Sequence, residues 1–304
     1  MRAFVTGASG WIGSAVIPEL LAQGHEVLGL ARSDAAAERV AASGAEVLRG
    51  DIQDIDVLRA GAEQADGVIH LAFRHDIAWT GHFDQAAASD RRAIEVFGEV
   101  LAGSDRPLAV ASRVAGLNLN PGGIATEQDH PNDEISPRVA SEQAALALAE
   151  RGVRSMSVRF APTVHGAGDH GFIARIIDAD RHHGAAAYVG DGENRWPAVH
   201  RSDAARLVAL GIEHAPAGSV LHAVAEEGVA MRDIAEAISR RFELPSTAIS
   251  PEEAEAGFGF IGQFIGLGMP ASSAITRELL GWEPTGPTLV ADIQNGAYSN
   301  SAQH

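Results

Sequence analysis

The sequence predicts an α/β fold, a Rossmann-type doubly wound parallel sheet with a small C-terminal substrate-binding region. Between Arg2 and Ala111, five short apolar segments alternate with stretches of helical periodicity. This alternation specifies a parallel sheet with helices on both faces. The turn after the first segment is rich in glycine, and polar residues follow several of the others. Because ligands bind outside the carboxyl ends of such strands, both observations predict a binding site at that edge.

The glycine-rich turn directly follows the first predicted strand, Arg2–Val5. Glycine lets the backbone approach a pyrophosphate closely, and the N–H groups and positive end of the following helix face the anion. A tight turn without a ligand is the alternative, but the strand–turn–helix context favours a phosphate site. We expect cofactor contacts from Gly7, Ser9, Gly10, Trp11, Ile12 and Gly13.

The turn after the second predicted strand, Glu26–Leu30, indicates which coenzyme is bound. NAD-selective sites usually place an acidic residue here, whereas an arginine can pair with the 2′-phosphate of NADP. Arg32 followed by Ser33 therefore predicts NADP as the cofactor, with NAD as the alternative. Asp34 suits the N-cap of a helix over Ala35–Ala42. A solvated side chain at the loop edge is the other interpretation of Arg32.

Residues after the third and fourth predicted strands, Glu46–Leu48 and Gly67–Leu71, extend the coenzyme edge. Asp51 lies where a polar group would meet the adenine, although it can instead cap a turn. Small Ala72 lets a coenzyme lie close to the backbone. We expect cofactor contacts from Asp51, Ile52, Leu71, Ala72 and Phe73.

The fifth strand, Leu108–Ala111, leads through a polar loop to a predicted helix over Pro137–Arg151, which Ser136 would cap. The loop Leu117–Ser136 is expected to lie over the cleft. A sixth strand, Ser155–Phe160, returns to the same edge. The expected cofactor contacts from this part are Ser112, Arg138, Phe160 and Pro162.

The chain is expected to divide into an NAD(P)-binding domain and a substrate-binding region. Residues 1–162 form the first, residues 163–304 form mainly the second, and parts of 198–224 return to the first. The tail Ser250–Gly268 is apolar and glycine-rich, and it is expected to line a pocket or pack on one.

Composition excludes several classes of function. The chain has no cysteine, so disulfides, thiolate catalysis and zinc–sulfur sites are excluded, and we expect a cytoplasmic protein without a metal. A formal charge of −17 disfavours nucleic acid and anionic membranes as partners. The chain enters its first strand at once, so neither a signal peptide nor a membrane span is expected.

Together these residues resemble the extended or atypical short-chain dehydrogenase/reductases, a superfamily that includes NAD-dependent epimerase/dehydratases. The resemblance implies a Rossmann domain that binds NAD(P), a small-molecule substrate and a homodimer formed through the helices Phe83–Ala102 and Pro137–Arg151. It is carried by Thr6 to Gly13 (TGASGWIG), Arg32-Ser33, Gly50-Asp51-Ile52, His70-Leu71-Ala72, Ser112, and Arg195 with Val199-His200.

The resemblance ends at the acid–base chemistry. Members usually carry Tyr-x-x-x-Lys on the helix after the fifth strand, where the tyrosine exchanges the proton. Here Arg138 and Glu142 stand at the matching positions, and the chain's only tyrosines, Tyr188 and Tyr298, lie far away in sequence. Ser112 matches the family serine that hydrogen-bonds the substrate oxygen.

Another group must therefore donate a proton or stabilise the developing charge. His75 and His165 follow strands at the expected nicotinamide end, and histidine titrates in a suitable range, although each can be structural. Arg138 can stabilise an oxyanion, hold a cofactor phosphate or hold an acidic loop, and Glu142 can simply pair with it. An imine that is protonated before it binds would need no strong acid.

The sequence thus favours an NADP-dependent oxidoreductase that reduces a small or medium, fairly apolar carbonyl or imine compound. One alternative is a non-catalytic NAD(P)-binding sensor or scaffold, which the loss of the Tyr–Lys pair would suit. A nucleotide-sugar epimerase or dehydratase is a further alternative, because Arg195 resembles the arginine that such enzymes use for the substrate diphosphate.

Overall fold

The structure is a computed structural model that describes residues 1–78, 80–117, 123–131 and 137–298. Two short 3₁₀ segments lie at Leu148–Arg151 and Gly259–Ile261. The elements in chain order are β1 (Arg2–Thr6), α1 (Gly13–Ala22), β2 (Glu26–Ala31), α2 (Asp34–Ala42), β3 (Glu46–Arg49), α3 (Ile55–Glu63), β4 (Gly67–His70), α4 (His75–Ala78), α5 (Phe83–Leu101), β5 (Pro107–Arg113), α6 (Val139–Ala147), β6 (Arg154–Phe160), β7 (Thr163–His165), α7 (Phe172–His183), β8 (Ala186–Val189), β9 (Arg195–His200), α8 (Arg201–His214), β10 (Ser219–Ala223), β11 (Glu226–Ala230), α9 (Met231–Phe242), β12 (Ser246–Ile249), α10 (Pro251–Phe258), α11 (Gly262–Ile265), α12 (Ala274–Leu280) and α13 (Leu289–Gln294).

Seven parallel strands form the central sheet, in the order β10-β6-β5-β4-β1-β2-β3. The chain moves outward from β1 to β3 and then crosses back to β4 on the other side of β1. This reversal creates the crevice between the carboxyl ends of β1 and β4 where open α/β sheets bind ligands. The predicted fold class is therefore confirmed.

Two apolar layers bury the faces of this sheet. On one face, Val16 and Leu20 of α1 and Leu207 of α8 pack together against the strands. On the other face, Leu58 of α3 and Phe97 of α5 belong to a second core. The strands are apolar on both sides because both faces are covered.

The C-terminal part builds a third core over the carboxyl edge of the sheet. It contains a three-stranded sheet, β11-β9-β7, and a two-stranded sheet, β12-β8. Ile173 of α7, Ile234 of α9 and Ile293 of α13 pack around Trp196, whose side chain is completely buried. By contrast α8 and β10 pack with the large sheet. The proposed division into two domains at residues 162 and 163 stays a prediction.

Several predicted boundaries are corrected. Ser33, not Asp34, caps α2, because its side chain accepts the N–H of Ala36. The helix predicted over Pro137–Arg151 is shorter, with Pro137 in a turn before α6 and a 3₁₀ turn after it. The predicted cap Ser136 and half of the loop expected over the cleft, residues 118–122 and 132–136, lie outside the described residues. Among the described helices, none is long and apolar enough to cross a membrane.

Candidate active site

A cavity of about 640 Å³ opens at the carboxyl edge of the central sheet. Its walls combine the glycine-rich turn after β1, the ends of the five strands β2 to β6 and the apolar C-terminal core. Two predicted residues, Ser33 and His165, are absent from its lining. The predicted residues that line it are Gly7, Ser9, Gly10, Trp11, Ile12, Gly13, Arg32, Asp51, Ile52, Leu71, Ala72, Phe73, His75, Ser112, Arg138, Phe160 and Pro162.

The glycine-rich turn is too tight for side chains at two positions. Gly7 has φ +68°, and a Cβ there would lie 2.8 Å from the amide nitrogen of Ala72. A Cβ at Gly13 would lie 2.1 Å from the carbonyl oxygen of Gly7. The helix α1 begins at Gly13 without a side-chain cap. Its positive end therefore faces the cavity, and this is a cradle for a phosphate group.

Contacts with the C-terminal half hold the turn in place. Trp11 donates its indole N–H to the carbonyl oxygen of Val164 at 2.8 Å. Arg201, the first residue of α8, donates from Nε to the carbonyl oxygen of Trp11 at 2.6 Å and from Nη2 to Ser14 Oγ at 2.6 Å. Its guanidinium carbon lies 4.2 Å from the centre of the Trp11 ring system. Arg201 was not among the predicted site residues, because its contacts with Trp11 and Ser14 join segments that lie far apart in the sequence.

Two arginines meet at the end of the cavity near β2. Arg32 Nη1 donates to Asp76 Oδ2 at 3.1 Å, and Arg74 Nε donates to Asp76 Oδ1 at 2.9 Å. Arg74 also donates to Gln53 Oε1 at 2.5 Å. These bonds, from Arg74 first, hold the pKa of the Asp76 carboxyl well below its usual range. Arg74 was not among the predicted residues, although its place directly after β4 was a usable indication.

Ser112 is part of a buried ionic network behind the cavity. Its hydroxyl donates to Glu142 Oε2 at 2.5 Å. The other carboxylate oxygen of Glu142 accepts from Nε and Nη2 of Arg159, each at 2.7 Å. The hypothesis that Glu142 pairs with Arg138 is therefore wrong, since β6 brings Arg159 beneath the helix. Because the hydroxyl proton of Ser112 is donated to Glu142, Ser112 can only accept a further hydrogen bond, through its lone pairs.

Arg138 is fixed from several sides just before α6. Its Nη2 donates to the carbonyl oxygen of Ala111 at 2.9 Å, and its guanidinium carbon lies 4.2 Å above the Phe73 ring. Its Nε lies 3.7 Å from Asp90 Oδ2. Burial raises the pKa of the Asp90 carboxyl, but Arg138 and His70 outweigh that effect and leave it lowered. Asp90 therefore remains an anion that anchors the cation.

The two histidine candidates have different surroundings. His75 begins α4 in the cavity wall, where loss of hydration and the Arg138 charge lower its pKa to about 4. It is neutral at pH 7 and holds no surplus proton to donate as a general acid. His165 is completely buried in β7, with Nδ1 2.6 Å from Asp292 Oδ2. The structure thus places His165 against α13 and outside the cavity lining.

The far end of the cavity is apolar. The rings of Phe172 and Phe264 lie 6.4 Å apart and nearly parallel. Asp169 interrupts this wall, accepting hydrogen bonds from the Gly171 amide and the Tyr298 hydroxyl, and burial raises its pKa. Neither of the chain's tyrosines lines the cavity. The apolar lining residues here are Phe172, Trp196, Phe260, Phe264 and Met269.

Residues 3–224 match a sequence model of the NAD dependent epimerase/dehydratase family. The chain belongs to this family. It is 45% identical to an uncharacterized protein of Schizosaccharomyces pombe, covering 98% of this chain and 100% of the relative. It is 26% identical to the 4-hydroxy-2-methyl-3-oxo-4-farnesyl-3,4-dihydroquinoline-1-oxide ketoreductase of Stigmatella aurantiaca, covering 72% of this chain and 67% of that protein.

The fold is also similar to that of MoeE5, solved in complex with UDP-glucose and NAD. The two structures agree with a TM-score of 0.76 and 23% identity over 100% of both chains. This likeness shows the fold alone.

This family member departs from the family's usual acid–base pair. The chain contains no lysine, so no lysine from elsewhere in the sequence can replace the one missing from the Tyr-x-x-x-Lys pair. Arg138 and Glu142 occupy the helix instead, and their partners are Asp90 and Arg159. Among the described residues, no cluster of three or more His, Asp or Glu side chains could hold a metal ion.

Proposed function

We propose that the protein is an NADP-dependent reductase that transfers a hydride to a small or medium, fairly apolar carbonyl or imine compound. One observation carries the proposal: a single cavity joins the glycine cradle at Gly7–Gly13 to Ser112, Arg138 and the aromatic C-terminal wall. A coenzyme laid along the strand ends would place its reactive end beside Ser112. The substrate would then occupy the aromatic end.

The residues present fit a dinucleotide. Gly13, where a Cβ would overlap the carbonyl oxygen of Gly7, lets the turn pack closely beside the uncapped end of α1, where the pyrophosphate would bind. Arg32 and Arg74 already bind one anion, the Asp76 carboxylate, at the expected 2′-phosphate position. Two guanidinium groups around an anion favour NADP over NAD.

When bound, the coenzyme would supply the hydride and its two electrons to the substrate carbon. The side chains of the protein orient the substrate oxygen or nitrogen that receives the proton. Arg138 offers a fixed positive charge for an oxygen that becomes negative, and it does not exchange protons at neutral pH. For a carbonyl compound the proton then comes from water, and for an imine it is already on the nitrogen.

The orientation of Ser112 favours the imine. Since its hydroxyl donates to Glu142, which Arg159 holds as a carboxylate, Ser112 can accept a hydrogen bond from an iminium N–H but cannot donate one to a carbonyl oxygen. The same geometry suits an alcohol O–H in the reverse reaction.

Two alternatives remain as outcomes of the test. A sensor or scaffold would bind coenzyme and turn nothing over. A nucleotide-sugar epimerase or dehydratase would need an acid–base tyrosine, and the chain's Tyr188 and Tyr298 lie outside the cavity lining.

We further propose a cytoplasmic homodimer. The resemblance supports the dimer, the cysteine-free sequence suits the compartment, and sedimentation tests the dimer.

The test is consumption of NADPH, followed at 340 nm, with matched cyclic imines and activated ketones. We expect turnover of at least one imine, with faster turnover of imines than of the corresponding ketones. Ser112→Ala should lower kcat/KM by about tenfold to a hundredfold, with a much smaller effect on the NADPH Kd. Tight NADPH binding with no turnover of the whole panel would favour the sensor.

A further inference from the structure

The cavity wall contains a partly buried cation, Arg113. Arg113 is the last residue of β5, and its side chain lines the cavity next to Ser112 and Arg138. Its one recorded partner is the Phe83 ring, whose centre lies 5.8 Å from the guanidinium carbon. Within the described ranges, Arg113 makes no hydrogen bond and no ion pair. Burial, and then the charge of Arg138, lower its pKa to about 10 against the opposing charge of Glu142, so it remains a cation at neutral pH.

The chain treats its other shielded arginines differently. Arg159 is paired with Glu142, and Arg106 donates to the carbonyl oxygens of Ala62, Ala65 and Val100. Arg154 likewise donates to two carbonyl oxygens, at the end of α8 and just after it. Partial removal of a charge from water without a hydrogen-bonded partner is unfavourable. A ligand that enters the cavity would provide the missing partner.

The basic groups near Arg113 favour an anionic ligand. Arg138 lines the same part of the cavity, and Arg138, His170 and Arg175 act on the nearby His75 as positive charges, with Asp76 opposing them. The protein as a whole is strongly acidic, with a formal charge of −17, so this concentration of positive charge is local. The five N–H groups of a guanidinium match the two oxygens of a carboxylate in a planar, bidentate pair.

We propose that the substrate carries a carboxylate, which Arg113 binds at the inner end of the cavity, and that its remaining part is apolar and packs against the aromatic wall. This inference rests on the proposed function and narrows it to carboxylate-bearing carbonyl or imine compounds, such as 2-oxo and 2-imino acids. Ser112 and Arg113 both line the cavity at the end of β5, so the carboxylate and the reacting group of one small molecule can both be reached.

The test uses ligands that cannot be reduced, so it does not depend on turnover. Calorimetry with the NADP⁺-loaded protein would compare a series of aryl and alkyl carboxylates, starting with phenylacetate, with their amides, starting with phenylacetamide. We expect carboxylates to bind at least about tenfold more tightly than their amides. Arg113→Gln should abolish this difference, Arg113→Lys should retain part of it, and Arg91→Gln, on an exposed face of α5, should change nothing.

Three results would overturn the inference. They are a series in which no carboxylate binds more tightly than its amide, an undiminished preference in Arg113→Gln, and binding of inorganic phosphate but not of carboxylates. In each case unchanged NADPH binding, together with reduction of uncharged substrates, would leave the proposed function standing. Loss of NADPH binding by the parent protein would instead contradict the proposed function.

Discussion

Ser112 Oγ lies 2.5 Å from Glu142 Oε2, so the serine expected to contact substrate is oriented by the residue at the position of the family's lysine. A lysine there would be a cation beside the coenzyme. The Glu142 side chain instead accepts hydrogen bonds from Ser112 and from Arg159. The exchange changes the chemistry of the helix while leaving its place in the fold intact.

Removing the charge of Glu142 should weaken both the fold and the site. Glu142→Gln leaves Arg159 buried without its anion, and we expect the free energy of unfolding to fall by about 3 kcal/mol. Urea denaturation measures this fall. Glu150→Gln, at an exposed position in the following 3₁₀ turn, is the control and should change the free energy by less than about 0.5 kcal/mol. Equal stabilities of the two variants would contradict the buried ion pair.

Asp76 should compete with the coenzyme for Arg32 and Arg74. Asp76→Asn removes the internal anion, so we expect NADPH to bind several-fold more tightly and NADH to change little. Arg74→Ala should weaken NADPH binding by about tenfold, as loss of one charged hydrogen bond would. Titration of each variant with both coenzymes measures the effect. A parallel change in NADH affinity would show that these residues do not read the 2′-phosphate.

Substitutions at two glycines of the turn should distinguish an effect on coenzyme binding from an effect on folding. A Cβ at Gly10 would meet one atom closely, the Gly7 carbonyl oxygen at 3.1 Å, whereas a Cβ at Gly13 would overlap that oxygen at 2.1 Å. Gly10→Ala should therefore retain nearly the parent Tm but bind NADPH at least about tenfold more weakly, because Gly10 lines the cavity where the pyrophosphate is expected. Gly13→Ala should lower the Tm as well. A Gly10→Ala protein with parent affinity would remove the turn from the coenzyme site.

Asp180 should make the protein less stable at alkaline pH. It is completely buried at the end of α7, where Oδ1 accepts the N–H of Ala187 at 3.1 Å and burial raises its pKa to about 7. The unfolded chain would titrate this carboxyl near its ordinary pKa of about 3.9. The folded state therefore binds more protons between about pH 4 and pH 7, and stability falls as the pH rises through that window.

The variant Asp180→Asn cannot ionise, so its Tm should decline less between about pH 5 and pH 8, and at the alkaline end it should exceed that of the parent by a few degrees. Glu38→Gln, at an exposed site in α2, should follow the parent curve. Superimposable curves for parent and Asp180→Asn would show that the carboxyl titrates normally.

The sheet and the coenzyme edge were predictable because their information is local. Strands such as β1 and helices such as α1 have strong apolar periods, and Gly7–Gly13 connects them over a few residues. Arg32 and Ser112 could be placed because parallel strands end at a common edge. The short strands β7, β9 and β11 of the C-terminal part have weak periods and were not predicted.

The partners within the site were less predictable because they depend on contacts between distant segments. Glu142 meets Arg159 only when β6 lies beside β5, and His165 is removed from the cavity by Asp292, far along the chain. Arg113 and Arg74 could have been suspected as charged residues at strand ends. Their roles differ because Arg74 forms an ion pair with Asp76, whereas Arg113 forms no ion pair with an acidic residue among those described.

The most direct test of the central claim is a calorimetric titration of the purified protein with NADPH and with NADH. We predict saturable binding of NADPH, tighter than that of NADH, and loss of most of this difference in Arg32→Ala. No binding of either coenzyme, in the reduced or the oxidised form, would contradict the account.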